Sequence, residues 1–220
     1  MEELEQLKDK LAVERPVLWN EFPDIGLYMD QVISYMHRQL INFEGDGQIT
    51  SAMVNNYIKD KLLPRADGKK YARGHLAALT EICLLKQVLS VRDTGLLLHQ
   101  ELRDGDPGKF YSKFREILDK LLTGTAEQID PEWEVEALSD MALRLVVSSY
   151  CNKLAGERLL DIIRSKVTAE EQKRPEKRPE KRPDKRSEKR SDKRSEKRSE
   201  KRTGEKMDDK SDNEQDMIQE

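Results

Sequence analysis

The chain has 220 residues, 38% of them charged and only 5% aromatic, with a formal net charge of −3. That average hides two unlike parts. Residues 169–220 hold 18 Lys and Arg against 16 Asp and Glu with four apolar side chains, too few to offset the entropy of ordering, so a disordered tail is expected. Residues 1–168 carry nearly all the hydrophobes, enough for one core, and no run approaches the ~18 apolar residues of a membrane span.

Leu4, Leu7, Leu11 and Ala12 stand at helical spacing and predict a short amphipathic helix over 4–13, ending before Arg15-Pro16. An aromatic connector, Leu18 to Ile25, follows. Asp24 suits the N-cap of a helix over 27–41 that turns Met29, Val32, Ile33, Met36 and Leu40 to one side. Gly45 and Gly47 break it with a loop. Thr50 can cap a helix reaching Leu62, with Val54, Ile58 and Leu62 inward, and Pro64 stops it. Residues 65–70 form a tight basic turn, with a short strand pair expected on its flanks. A helix over 74–89 is apolar on most sides and should be central and buried. Ser90 caps a further helix over 91–98.

The turn Gly105-Asp106-Pro107-Gly108 leads into a helix through Leu122, with Phe110, Phe114, Ile117, Leu118 and Leu121 inward and Gly124 following its end. Pro131 suits the first turn of a long helix over 131–167 whose apolar stripe serves either the core or a second copy. The expected body, 1–168, is all-α. Beyond it runs a four-residue repeat, three units opening on Pro (175, 179, 183) and four on Ser (187, 191, 195, 199). Its seven units total +7 and the last 14 residues −5. Identical charges at i and i+4, with proline in three units, argue against a helix there.

Positive charge is concentrated. Residues 49–92 hold eight bases against Asp60, Asp67 and Glu81, a net of +5 inside a body of −5. A capped short helix, a basic turn and a buried helix, in that order, are the parts of a winged helix-turn-helix at 49–98, and such a positive surface suits phosphates. The bland alternative is a solvated face.

Two resemblances rest on these residues. Val54-Asn55-Asn56-Tyr57-Ile58-Lys59-Asp60-Lys61-Leu62-Leu63-Pro64, followed by Lys70-Tyr71-Ala72-Arg73-Gly74-His75-Leu76-Ala77-Ala78-Leu79, resembles the DNA-binding half of MerR-type regulators. There a recognition helix ends in Leu-Leu-Pro, a wing reaches a Tyr, and the next helix carries Leu-x-x-Leu. MerR-type proteins favour an Arg where Asn55 stands and a Gly where Lys61 stands. Together with Leu18 to Val32, the same block resembles a bacterial family catalogued as domain of unknown function 1836, over about 15–125. That family name implies no activity. The MerR-type resemblance implies a MerR-like winged helix-turn-helix and dimerisation through a long helix.

The candidate base contacts are Ser51, Asn55, Asn56 and Lys59, since Asn can bind an adenine edge bidentately and Lys suits guanine or phosphate. Candidate backbone contacts are Lys61, Arg65, Lys69, Lys70, Tyr71 and Arg73, which would position without specifying. Tyr71 also fits simple packing. His37, His75 and His99 fall on separate helices, and no nucleophile, phosphate-loop or metal-spacing motif stands out, so neither enzyme activity, cofactor nor metal is expected. The acidic start, Met1-Glu2-Glu3-Leu4-Glu5, lacks the basic-then-apolar pattern of an export signal. A cytoplasmic protein with Cys83 and Cys151 as reduced, packed thiols is expected. The expected partners are double-stranded DNA and a second copy, with no membrane. The alternative is a protein–protein adaptor that keeps the helix-turn-helix shape without binding DNA.

Overall fold

The computed structural model describes residues 2–40, 49–103 and 105–173, which form seven α-helices and no extended sheet strand. They are α1 (Glu2–Val13), α2 (Met29–Met36), α3 (Ser51–Lys59), α4 (Arg73–Leu85), α5 (Val91–Glu101), α6 (Pro107–Ala126) and α7 (Val135–Lys173). A 3-10 turn, Trp19–Glu21, lies between α1 and α2. Short polar side chains open three of them. Thr50 Oγ1 accepts the Met53 N–H at 3.2 Å, Ser90 Oγ accepts the Asp93 N–H at 3.1 Å, and Asp106 Oδ1 accepts the Gly108 N–H at 2.8 Å.

Helix α4 is the centre. Leu76, Leu79 and Ile82 are fully buried, and the helix packs on α2 and α6. On its α6 side the aromatic connector supplies Trp19 and Phe22, which meet Tyr111; the Phe22 and Tyr111 rings lie 5.1 Å apart, edge to face. Tyr111 is buried, and its hydroxyl donates to the Val17 carbonyl at 2.8 Å, so the ring fills the core without leaving a polar atom orphaned. Gly108 makes room for this cluster: a Cβ there would come within 2.8 Å of the Trp19 ring. Helix α1 has no buried residue of its own and is held to α6 by Arg15. That guanidinium donates to Asp119 at 2.5 Å, to Thr123 at 2.9 Å and to the Leu11 carbonyl at 2.8 Å.

Several expectations are corrected. Helix α2 starts two residues later than expected, because Leu27 is paired with the backbone of Tyr71, and it ends at Met36. Asp24 does not cap it; the Gln31 side chain instead accepts the Tyr28 N–H at 2.9 Å, and Asp24 is taken by Arg73. Helix α3 ends at Lys59, and its inward residues are Val54 and Tyr57, with Ile58 and Leu62 half-buried. Ile117 and Leu121 face outward on α6, and Gly124 lies inside that helix rather than after it. Pro131 sits in the turn before α7, which begins at Val135 and runs to Lys173, past the expected body boundary. Cys83 is buried, but Cys151 is exposed. The 43–48 loop and the charged repeats lie outside the described residues.

Candidate nucleic-acid interface

Helix α3 buries Val54 and Tyr57 and turns Ser51, Asn55, Asn56 and Lys59 to solvent. Its end is built around Lys61. The Leu62 N–H bonds the Tyr57 carbonyl at 2.9 Å and the Lys61 N–H bonds the Ile58 carbonyl at 3.2 Å, the two-bond Schellman closure. That closure needs left-handed backbone, and Lys61 adopts it with φ 61°. Glycine is suited to this conformation; an L side chain is strained there. The chain therefore ends the helix with a glycine geometry but keeps a lysine.

The same happens at the following turn. Asp67 and Lys70 exchange backbone hydrogen bonds at 3.1 and 2.8 Å around Gly68 (φ 52°) and Lys69 (φ 72°). Two positive φ values in a two-residue loop make a type I′ turn, which favours glycine at both places. Tyr71 then pairs with Leu27 through hydrogen bonds of 2.9 and 2.8 Å, anchoring the turn beside the start of α2. The expected strand pair is thus reduced to two isolated bridges. Lys70 lies across Gly26, where a Cβ would come within 2.9 Å of its own, and its ammonium sits 5.5 Å from the Tyr28 ring centroid.

Two proposed backbone contacts are corrected by their surroundings. Tyr71 is 5% exposed and packs in the core, with its ring edge-to-face on His75. Arg73 is paired with Asp24, donates to the Phe22 carbonyl at 3.3 Å and stacks over Trp19. It ties the connector to the first turn of α4. His75 also holds that turn: its Nδ1 accepts the Ala72 N–H at 3.1 Å, which makes Nε2 the protonated nitrogen that donates to the Arg65 carbonyl at 3.2 Å.

Asn55, Lys59, Lys61 and Arg65 come together on the rim of a cleft of about 1070 Å³ between α3, α4 and α5. Lys69 and Lys70 lie apart, at the turn beside Tyr28. Ser51 and Asn56 are exposed on α3 outside both groups. At the base of the cleft Glu81 is 2% exposed, and its Oε1 has no hydrogen-bond partner among the described residues. Burial pushes its carboxyl up to about 8, so it is mostly neutral at pH 7. The net charge of 49–92 at that pH is accordingly nearer +6 than +5. Burial also pushes the Cys83 thiol up to about 11, which makes it a packing residue rather than a nucleophile.

Sequence reasoning missed Glu81, although a signal was present: it is the one acid in a helix otherwise apolar on most sides. The glycine that MerR-type proteins favour at Lys61 was a signal for its left-handed backbone, whereas the left-handed Lys69 was missed. The Asp67-Gly68 pair marked the turn, but nothing local showed that Lys69 shares its positive φ.

Residues 17–114 match the family model described as Domain of unknown function (DUF1836). The matched segment begins at the aromatic connector, takes in α2 to α5 with the exposed α3 face, the basic turn and the cleft, and stops within α6. Helix α7 lies outside it. No curated protein and no solved structure matches the chain. Among the described residues, no helix is long and apolar enough to cross a membrane.

Proposed function

We propose that this chain is a non-enzymatic, sequence-specific DNA-binding transcription regulator of the cytoplasm, built on a MerR-like winged helix-turn-helix. Helix α3 enters the major groove, and turn 64–71 acts as the wing on the backbone. The observation that carries this reading is the pair of lysines in left-handed backbone, Lys61 and Lys69. Each gives up stability at a place that favours glycine, and each presents an exposed cation, Lys61 at the rim of the cleft and Lys69 at the turn beside Tyr28. Strain of this kind collects at functional positions. Among the described residues neither lysine makes an ion pair, so both charges are available to phosphates.

Asn55 and Asn56 are the base readers, and Lys59 reads guanine or binds phosphate. Fluorescence anisotropy on DNA from the chain's own upstream region tests this. Asn55→Ala should relax the preference at one base pair, by about 1–3 kcal/mol, and leave nonspecific binding intact. Absence of any binding to that DNA at low salt would sink the reading.

Helix α7 supplies the second copy. Leu143, Val147, Tyr150 and Leu154 are exposed and recur at spacings of four, three and four, the seam of a helix pair. A two-fold pair of bodies matches two-fold operators. Leu143→Glu should yield a monomer by light scattering where the unaltered chain is a dimer. The same exposed stripe favours a second reading, an adaptor that docks a partner helix; retention of the chain on immobilised nonspecific DNA at modest salt separates the two.

A further inference from the structure

We propose that the cleft between α3, α4 and α5 binds a small amphipathic carboxylate, its anionic head at the rim and a hydroxyl at the far end of an apolar chain against Glu81. This goes beyond the DNA reading and stands without it.

The cleft is the size of a small-molecule site. Its volume of about 1070 Å³ lies just above the usual ~300–1,000 Å³, and its walls are apolar, with Ile58, Leu62, Ala78 and Leu98 among them. Part of that width comes from Gly95, where even an added Cβ would reach Leu62 only at 3.8 Å. A purely apolar cleft would select any greasy molecule; this one is polarised at both ends. At the base stands Glu81, inaccessible to bulk water, with Oε1 unpartnered among the described residues. A buried acceptor in that state costs stability that a ligand hydroxyl would recover.

At the rim stand Lys59, Lys61, Arg65 and Arg103, while Glu81 is the one acid among the described residues that lines the cleft. Arg103 is held only loosely by Glu170, at 3.8 Å. Four cations around the mouth repel an amine and attract a carboxylate, which excludes the other obvious partner for a buried acid. The two histidines on the lining leave this unchanged: His75 is engaged with Ala72 and Arg65, and His99 has no acidic partner among the described residues. Occupancy would also bear on α3. Asn55 and Lys59 border both the cleft and the exposed helix face, so a bound anion subtracts from the positive potential there.

Calorimetric titration of the full chain with 10-hydroxydecanoate and with decanoate, both below micelle formation, tests the site directly. The expected result is saturable 1:1 binding, with the hydroxylated acid at least fivefold tighter. Gly95→Leu, which fills the cleft with a better helix former, should weaken both acids at least tenfold while the unfolding midpoint holds or rises. Glu81→Leu should keep decanoate and abolish the hydroxyl preference. The proposal is overturned by the absence of saturation for both acids. It is equally overturned by affinities that Gly95→Leu leaves unchanged, or by a hydroxyl preference that survives Glu81→Leu. None of these readouts involves DNA, so a failure here and a failure of the DNA reading are separate results.

Discussion

Replacing Glu81 by Gln will stabilise the fold by about 3 kcal/mol at pH 7 and by almost nothing at pH 4. In the unfolded chain the carboxyl titrates near its ordinary 4.5; in the fold, burial raises it to about 8. Between those values the native state holds a proton that the unfolded state has released, so native stability falls as pH rises through that window. Each pH unit removes ~1.4 kcal/mol until the folded group also ionises. Glutamine has the shape of the neutral acid and does not titrate, so its advantage opens above pH 4.5 and levels off above about pH 8. Urea unfolding of both proteins at pH 4, 7 and 9 reads the difference, and other groups cancel in the comparison. Parallel pH profiles would mean that Glu81 is a partnered carboxylate in the fold.

Lys61→Gly and Lys69→Gly should move stability and DNA affinity in opposite directions. Each removes a side chain from left-handed backbone and should raise stability by about 1 kcal/mol, less the entropy glycine adds to the unfolded chain. Each also removes a cation. If both contact phosphates, the double variant should lose roughly two units of the slope of log affinity against log salt. Affinity should then fall about tenfold or more at low salt, with the preferred sequence unchanged. Thermal unfolding and anisotropy across a salt series measure both effects on one preparation. A double variant that is more stable and binds equally well would show that the lysines are idle.

What could be read from the chain depended on how local its cause was. Thr50 and Ser90 cap helices through atoms three residues away, and both starts were legible. So was the burial of α4, since a helix apolar on most sides has nowhere else to go. Asp24 looked like a cap of the same kind, but its partner is Arg73, 49 residues away. Ile117 and Leu121 sit at inward spacing on α6, yet spacing names a stripe without saying what covers it. The polar face of α3 was legible as the complement of Val54. Its neighbours were not: Tyr71 pairs with the backbone of Leu27, Arg73 is drawn inward by the connector at 19–24, and the cleft depends on three helices meeting.

Helix α7 is 39 residues, about 58 Å long, and it meets the body toward its far end. Leu160 is buried, and Arg164 is paired with Asp93 of α5 at 2.5 Å. The exposed stripe from Leu143 to Leu154 is centred about 20 Å up the helix from that anchorage. Two copies joined antiparallel on the stripe would hold their anchor points about 40 Å apart, against 34–36 Å for one turn of duplex. The helix then acts as a ruler. Sliding one copy along the other by a heptad changes the span by about 10 Å. The register of the α7 seam, rather than any residue on α3, would decide how far apart two half-sites must lie.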